Sequence, residues 1–365
     1  MREPMDRRSF VGLAGAAGLG ARFGTGLAGQ NQPKIHLALV GCAHIHTPSF
    51  VQLLKARPDV VVKYIWDHEA ARAARWAAEL ESRAVDNLNE IWNDFQTTAV
   101  VICSETNRHS DLVFQAARAG KHMFVEKPLG VTGKESLAMA EAIEKAKVKF
   151  TTGYFQRCLP VNLFLKEQVQ KGNFGTITRV RGSNCHSGSL GGWFDKEWRW
   201  MADPKIAGVG AFGDLGTHLL DLLMWFMGDV EWVTADIKVV TGRYPGCDES
   251  GEALFRFKNG ATATLAAGWV DVADPVSLLI SGTEGHAAVI NGQLFYQTNK
   301  IEGADGKKPW TSLPKGYPVP LDMFVDSLAG QGDLPLVSAR EAAARVVVME
   351  AMYQSSKDRK RVKLA

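Results

Sequence analysis

The first half of the chain alternates short apolar runs with longer stretches in which apolar residues recur every three or four positions. The short runs predict buried strands, and the longer periodic stretches predict amphipathic helices. The predicted strands are 34–40, 60–66, 99–103, 123–125 and 150–154, and the predicted helices are 47–56, 68–81, 110–119 and 134–147. This alternation predicts a parallel, doubly wound sheet over residues 34–152.

The second half has the pattern of an antiparallel sheet. Asn259-Gly260 separates two strand-like runs, 253–258 and 261–266, as the two-residue turn of a hairpin does. Further strands are predicted at 276–281, 286–290 and 293–297. Ser338 and Glu341 have the spacing of a capping box and begin a helix predicted over 338–356. Residues 153–365 therefore form a predicted α+β domain with an open, mainly antiparallel sheet.

The amino terminus resembles a twin-arginine (Tat) export signal. Arg7-Arg8-Ser9-Phe10 precedes an uncharged run rich in Gly and Ala, and Gly26-Leu27-Ala28 suits cleavage by a signal peptidase. We therefore predict that residues 1–28 are a signal peptide and that the protein is periplasmic or otherwise exported. The alternative is a disordered amino-terminal tail.

Composition excludes several classes of partner. Residues 1–28 contain four Arg and two acidic residues, so the formal charge of +3 becomes +1 without them. This near balance gives no sign of binding to nucleic acid or to an anionic membrane, and the apolar run near the amino terminus is too short to span one. Five scattered cysteines without a CxxC pair argue against a complete disulfide framework.

A nucleotide site is predicted after the first strand. Gly41-Cys42-Ala43-His44-Ile45-His46 keeps only the first glycine of the dinucleotide fingerprint, and a pyrophosphate would rest on the helix amides near Thr47. Asp67 ends the second strand, where an acid binds the adenosine ribose and repels a 2′-phosphate. Because no arginine occupies positions 67–70, NAD is favoured over NADP. The alternative role of Asp67 is to cap the helix that follows.

His44 and His46 also have a spacing that a metal site could use. With no acidic residue nearby in the sequence to complete a ligand set, we predict no metal here. We expect the two histidines to line the cofactor site instead.

Two stretches carry the predicted catalytic chemistry. Glu126-Lys127-Pro128 follows a buried strand, where open α/β sheets place reactive groups, although a solvated surface turn is the alternative. Asp214 and His218 lie four residues apart, so a helix places them on one face. In the alternative interpretation, Asp214 caps that helix and His218 is a hydrogen-bonded core residue. As catalytic groups, His218 would accept a hydroxyl proton, Lys127 would stabilise the forming oxyanion, and Asp214 would hold a sugar hydroxyl or orient the histidine.

Taken as a set, these motifs resemble the Gfo/Idh/MocA oxidoreductases. Ser104-Glu105-Thr106-Asn107-Arg108-His109 stands where that family has Thr-Pro-Asn-x-x-His, with Glu105 in place of the proline, and Gly172-Asn173-Phe174-Gly175-Thr176-Ile177 fits the family's Gly-x-x-Gly-x-Ile turn. The resemblance covers roughly residues 34–364. It implies an α/β fold: an amino-terminal Rossmann domain and a carboxyl-terminal α+β domain, often the oligomer interface, so we expect a dimer or tetramer. It also implies a catalytic trio of Lys127, Asp214 and His218.

The candidate site residues then fall into two groups. The predicted cofactor-binding residues are Gly41, Cys42, Ala43, His44, Ile45, Asp67, Ser104, Glu105, Asn107, His109, Glu126 and Lys127. The predicted substrate-binding residues are Arg157, His186 and Trp200. Trp200 belongs to a tryptophan-rich stretch whose indole faces suit pyranose rings, although these tryptophans could equally fill a core.

These features predict hydride transfer between a sugar or polyol hydroxyl and NAD. A free nicotinamide pool is not expected outside the cytoplasm, so export implies that the nucleotide is carried bound and recycled by a second substrate, as glucose–fructose oxidoreductase of the resembled family does. One alternative is a redox-neutral, NAD-dependent glycosidase or lyase that oxidises C3 transiently. In that branch a tyrosine is expected where this chain has Asn184. Another alternative is a non-catalytic sugar-binding protein.

Overall fold

We describe the protein from a computed structural model, and the description covers residues 34–364. The predicted export signal, residues 1–28, lies outside the described residues. Two compact units are present: the first contains residues 34–126, 139–153 and 318–339, and the second contains 127–138, 154–317 and 340–364.

Helices and strands follow the predicted order closely. The described helices are α1 Thr47–Lys55, α2 Ala70–Glu79, α3 Asn89–Trp92, α4 His109–Arg118, α5 Gly133–Ala146, α6 Pro160–Gln170, α7 Pro204–Ala207, α8 Ala211–Met227, α9 Pro320–Leu328 and α10 Ala339–Asp358. The described strands are β1 Ile35–Cys42, β2 Val60–Trp66, β3 Arg83–Ala84, β4 Ala99–Cys103, β5 His122–Val125, β6 Phe150–Thr152, β7 Ile177–Cys185, β8 Val230–Lys238, β9 Ser250–Phe257, β10 Thr262–Gly268, β11 Val276–Gly282, β12 Gly285–Ile290, β13 Gln293–Thr298, β14 Asp305–Pro309 and β15 Val362–Lys363.

The first unit contains a six-stranded parallel sheet in the order β3-β2-β1-β4-β5-β6. The prediction of a parallel doubly wound sheet is confirmed. Its central strands are largely apolar because helices cover the sheet, and β4 is buried at all five positions.

One segment of the first unit comes from far along the chain. The predicted division at residue 152 assigned everything beyond it to the second domain, but 318–339 belongs with the first unit. The reason is apolar packing: Leu321 and Phe324 of α9 are fully buried in the first unit's core, where the Phe324 ring lies 6.4 Å from that of Phe124. A local sequence pattern cannot show such a return.

The second unit contains a nine-stranded sheet in the order β14-β13-β12-β11-β7-β10-β9-β8-β15. The hairpins predicted around Asn259-Gly260 and between 276 and 290 are confirmed as antiparallel pairs. Four strands of this sheet, β7, β8, β14 and β15, were not predicted. The pairing of β7 with β10 is parallel, so the sheet is mixed rather than purely antiparallel.

Helix α8 packs on this sheet through an apolar surface. A Cβ at Gly182 of β7 would lie 2.4 Å from a methyl carbon of Leu219, so the close approach of helix and strand requires glycine there. The stretch Pro204–Met227 is apolar and long enough to qualify as a candidate membrane span, but 78% of its most apolar window is buried inside the structure, as in the core helix of a soluble protein.

Glu249 anchors the loop between β8 and β9. Its fully buried carboxylate accepts hydrogen bonds from the amides of Val240, Thr241 and Gly242 at 2.8, 2.5 and 3.0 Å, and from the Thr241 hydroxyl at 2.6 Å. Burial alone would raise the pKa of Glu249, but these donors lower it to about 2.

Replacing Glu249 with glutamine is expected to lower the free energy of unfolding by about 2 kcal/mol, because the neutral amide loses the charge that strengthens these hydrogen bonds and turns an NH₂ group toward at least one of the loop's donors. The ionised carboxylate stabilises the fold above the ordinary glutamate pKa, and this contribution is lost as the pH falls toward 2. Urea unfolding at neutral and acidic pH measures both effects. The control is Glu252→Gln on the exposed side of β9, where we expect no measurable change. Equal effects of the two variants would contradict the anchoring role.

Candidate functional site

The predicted nucleotide-binding residues of the first unit lie at one edge of its sheet. Strand β1 ends with Gly41 and Cys42, and residues 43–46 follow it. Asp67 follows β2, residues 104–109 follow β4, and Glu126 follows β5. These four strands are parallel neighbours in the order β2-β1-β4-β5, so their carboxyl ends meet at the same edge. Open α/β sheets bind ligands at this edge.

The loop after β1 lies very close to the end of β4. Gly41 has φ +82°, and a Cβ there would lie 2.5 Å from Cβ of Ser104, so only glycine fits. The amides of Ala43 and His44 both donate to the Cys103 carbonyl oxygen, at 2.9 and 3.0 Å, which ties the loop to β4. Helix α1 then begins at Thr47 with no side-chain cap on its first amides. An anion such as a pyrophosphate could therefore use that helix end.

The alternative that Asp67 caps the following helix is wrong, because the residue at the N-cap of α2 is Glu69, and the ribose role of Asp67 stays a prediction. Its carboxylate accepts from the amide of Cys42 at 2.6 Å and from the amide of Glu69 at 2.8 Å, so it ties β1 to the start of α2. It is also paired with Arg72, which lies just beyond the arginine-free window 67–70 and was missed. A sequence signal could have identified Arg72: an arginine in the first turn of a helix that follows a strand ending in an acid.

His46 and His44 lie against the fully buried Glu126. His46 Nδ1 is 3.0 Å from Glu126 Oε1, and His44 Nε2 is 3.9 Å from Oε2. Gly153 makes room for this carboxylate, since a Cβ there would lie 3.0 Å from Oε2.

No acidic residue was expected near these histidines, and that expectation was wrong, because Glu126 completes a possible set of metal ligands. The ligand atoms of His44, His46 and Glu126 lie within 4.8 Å of one another, as do those of His68, Glu69 and Glu105. In the first group, the hydrogen bond between His46 and Glu126 accounts for the arrangement without an ion.

The second unit brings Lys127 and Asp214 into direct contact. Lys127 Nζ donates to Asp214 Oδ1 at 2.6 Å, and Trp269 Nε1 donates to Asp214 Oδ2 at 3.2 Å. The side chain of Lys127 is only 3% exposed, so the alternative of a solvated surface turn is wrong. The tryptophan was not predicted, and no sequence motif pointed to it. Asp214 thus orients the ammonium while its own second oxygen is fixed by an indole.

Helix α8 positions His218 one turn after Asp214, as the four-residue spacing predicted. The residue at the N-cap is Gly210, so the alternative that Asp214 caps the helix is wrong. His218 is 5% exposed, and its ring lies edge-on to Phe155 and Tyr154, with centroid distances of 5.2 and 6.1 Å. A histidine whose ring is fixed by aromatic neighbours suits directed proton transfer.

His186 follows β7 and is held in one tautomer. Its Nδ1 accepts the Gly188 amide proton at 2.9 Å, so the neutral ring carries its proton on Nε2. The ring packs on Trp193 with a centroid distance of 4.9 Å. Burial lowers the pKa of His186, although the Asp214 carboxylate acts in the opposite direction. A neutral Nε2–H is a hydrogen-bond donor of the kind that a sugar oxygen accepts.

The structure corrects the prediction for Arg157. Its guanidinium donates to both carboxylate oxygens of the buried Asp221 at 2.8 and 2.5 Å, and to Glu341 at 2.8 Å. These bonds assign Arg157 to the core of the second unit rather than to a substrate. Trp200 is half-buried on the short 3-10 helix Arg199–Ala202, and its contact with substrate stays a prediction.

Both parts of the chain match known protein families. Residues 35–154 match the model of an oxidoreductase family with an NAD-binding Rossmann fold, and residues 163–288 match the GFO/IDH/MocA C-terminal domain. Levoglucosan dehydrogenase of Pseudarthrobacter phenanthrenivorans is 29% identical over 63% of this chain and 60% of its own length. Myo-inositol 2-dehydrogenase of Thermotoga maritima is 29% identical over 63% of this chain and 67% of its own.

Solved structures share the fold over nearly the whole chain. GenD2 from gentamicin A biosynthesis, in complex with NAD, has a TM-score of 0.76 at 24% identity, covering 94% of this chain and 100% of that one. Levoglucosan dehydrogenase in complex with NADH and L-sorbose has a TM-score of 0.77 at 21% identity, covering 91% and 99%. At these sequence identities the structural similarity establishes the fold and nothing more.

Proposed function

The chain belongs to the GFO/IDH/MocA family of oxidoreductases, and on that premise we propose that it oxidises a secondary hydroxyl of a sugar or polyol. One observation carries the proposal: Lys127 Nζ lies 2.6 Å from Asp214 Oδ1, with the buried His218 one helical turn further along α8. An ammonium, a carboxylate and an imidazole are the groups that alcohol oxidation needs. Relatives named as levoglucosan and inositol dehydrogenases support a carbohydrate substrate.

The first unit offers the residues that would hold NAD. The glycine required at position 41, the uncapped start of α1 and the acid after β2 fit a dinucleotide bound along the carboxyl edge of the sheet. When bound, NAD accepts the hydride from the carbinol carbon.

The residues of the second unit manage the proton and the charge. His218 accepts the hydroxyl proton, and the alcohol becomes a carbonyl once hydride and proton have left it. Lys127 stabilises the negative charge that develops on the oxygen, and Asp214 orients the ammonium. The Nε2–H of His186 donates to a neighbouring oxygen of the sugar and so orients it.

We further propose that the protein is exported, works as an oligomer and keeps its nucleotide bound between turnovers. The Arg7-Arg8 pair supports export, and export without a nicotinamide pool supports retention. A second substrate, a ketose or another carbonyl compound, would then take the hydride back in a ping-pong cycle.

Protein purified from its native compartment is expected to carry about one NAD(H) per chain, since a recycled cofactor has to survive purification. Native mass spectrometry measures bound nucleotide and oligomeric state together. Single-turnover addition of levoglucosan, myo-inositol or glucose should convert the bound NAD to NADH, and a carbonyl substrate should reverse it. Protein that lacks nucleotide and binds NAD weakly and reversibly would contradict recycling while leaving dehydrogenase activity intact.

The redox-neutral glycosidase alternative has less support in the structure. Asn184, where that branch has a tyrosine, donates to the Leu215 carbonyl oxygen at 2.9 Å and so ties β7 to α8. Release of nitrophenol from nitrophenyl glycosides without net NADH would nevertheless establish it, and NADH formation without release would exclude it.

A further inference from the structure

A compact charged cluster lies at the nucleotide edge of the first unit and consists of Asp67, Arg72 and Glu105. Arg72 Nε and Nη2 donate to the two oxygens of Asp67 at 3.0 and 2.8 Å, and Nη2 also donates to Glu105 Oε1 at 3.0 Å. The exposed fractions of the three side chains are 0, 14 and 8%. Two nearly buried carboxylates therefore share one guanidinium.

The acceptor capacity of Asp67 is already used within the protein. A carboxylate has about four lone-pair positions. Asp67 receives two donors from Arg72, one from the amide of Cys42 and one from the amide of Glu69. A ligand hydroxyl that donated to Asp67 would have to displace one of them.

Glu105 has acceptor capacity to spare. Its Oε1 receives Arg72, but its buried Oε2 has no hydrogen-bond partner among residues 34–364. Two basic side chains lie close to it, with His68 Nδ1 at 3.5 Å and Arg108 Nε at 3.6 Å, but neither contact meets hydrogen-bond geometry. A buried carboxylate oxygen without a donor is unfavourable, and a ligand hydroxyl would satisfy it.

We infer that Glu105 Oε2 accepts an adenosine ribose hydroxyl and that the Asp67–Arg72–Glu105 cluster selects NAD against NADP. This inference rests on the proposed function, since it concerns the nucleotide of that same site. It places the ribose acceptor on the loop after β4 as well as at the end of β2, where Asp67 alone was expected to act.

The charge balance of the cluster explains the selection. An arginine beside this strand end commonly accommodates a 2′-phosphate. Here, turning Arg72 toward a phosphate would take from the fully buried Asp67 its arginine partner and leave Glu105 with only the half-exposed Arg108 at 3.6 Å, which is unfavourable. With Arg72 in place, the cluster of two carboxylates and one guanidinium carries an excess negative charge that repels a phosphate, and the solvent-screened Arg108 offsets it only in part.

The test measures dissociation constants of NADH and NADPH by calorimetry on the full chain after its nucleotide has been stripped. Wild-type protein is expected to bind NADH at least about 100-fold more tightly than NADPH. Glu105→Gln should raise the dissociation constant of NADH about tenfold, the effect of losing a hydrogen bond to a charged group. The ratio of the NADPH dissociation constant to that of NADH should therefore fall by about tenfold. Glu105→Asp keeps the charge on a shorter side chain, so it should weaken the binding of NADH but preserve the ratio of the two dissociation constants.

Glu69→Gln is the matched control. It removes the same charge two residues from Asp67, but its carboxylate is 61% exposed and lies 3.6 Å from Arg72, so we expect changes below about twofold. A Glu105→Gln ratio within twofold of wild type, in protein whose circular dichroism is unchanged, overturns this inference alone. Wild-type protein that binds neither dinucleotide overturns the proposed function together with it.

Discussion

Replacing Lys127 with methionine is expected to lower kcat by about 10³-fold for the proposed sugar or polyol oxidation. Methionine keeps most of the volume and removes the ammonium, so the forming oxyanion loses its counter-charge while Asp214 keeps the hydrogen bond from Trp269. NADH affinity should fall far less than kcat, because the other predicted cofactor-binding residues, all in the first unit, are untouched. Steady-state kinetics with the best substrate of the panel, combined with calorimetry of NADH binding, measure both quantities.

The control for Lys127 is Lys134→Met, which removes an exposed lysine seven residues further along the chain. We expect its kcat to stay within about twofold of wild type, because an exposed charge at that distance is screened. A Lys127→Met variant that folds and keeps kcat within threefold would exclude both the dehydrogenase and the glycosidase mechanisms that depend on this ammonium.

Replacing Asp221 with asparagine is expected to destabilise the second unit by about 3–5 kcal/mol, the usual result of breaking a buried ion pair from one side. Asp221 is fully buried and accepts from two arginines, Arg157 at 2.5 and 2.8 Å and Arg345 at 2.9 Å. Asparagine keeps the shape but removes the charge, so both guanidinium groups stay buried with too few acceptors. Thermal and urea unfolding measure the loss.

Glu341→Gln provides the comparison for Asp221. Glu341 also accepts from Arg157, but its side chain is 37% exposed, so water can replace the bond, and we expect a loss below about 1 kcal/mol. If Asp221→Asn instead unfolded normally and raised KM without loss of stability, the network would belong to substrate binding, and Arg157 would regain the role first predicted for it.

The elements that carry the proposed catalytic residues were predictable because their sequence signals are local. The apolar strand before Glu126 and the four-residue spacing of Asp214 and His218 each lie within a single turn or strand. For such short stretches, backbone geometry follows from the residue pattern, so the helix face shared by Asp214 and His218 was predicted correctly. The parallel sheet was predictable for the same reason, since its strands and helices alternate along the chain.

Contacts between distant parts of the chain were not predictable, as Arg157 and Trp269 illustrate. Arg157 has the same sequence signature whether it binds a sugar or a core carboxylate, and only its neighbours Asp221 and Glu341 decide between them. The contact of Trp269 with Asp214 joins residues 55 positions apart, which no sequence spacing encodes, whereas Arg72 lies five residues after Asp67 and was within reach of a local pattern.

The sequence by itself determined the family, the two-part α/β organisation and the helix face that Asp214 shares with His218, because motifs and periodicity act over a few residues. The tertiary structure decided which charges neutralise which: Asp214 pairs with Lys127, Asp221 with two arginines, and Arg72 with both Asp67 and Glu105. Pairing energies depend on separation and burial, and burial is set by how distant segments pack. For that reason Lys127 could be proposed as a catalytic residue from the sequence, whereas the electrostatic environment that orients it could not be predicted.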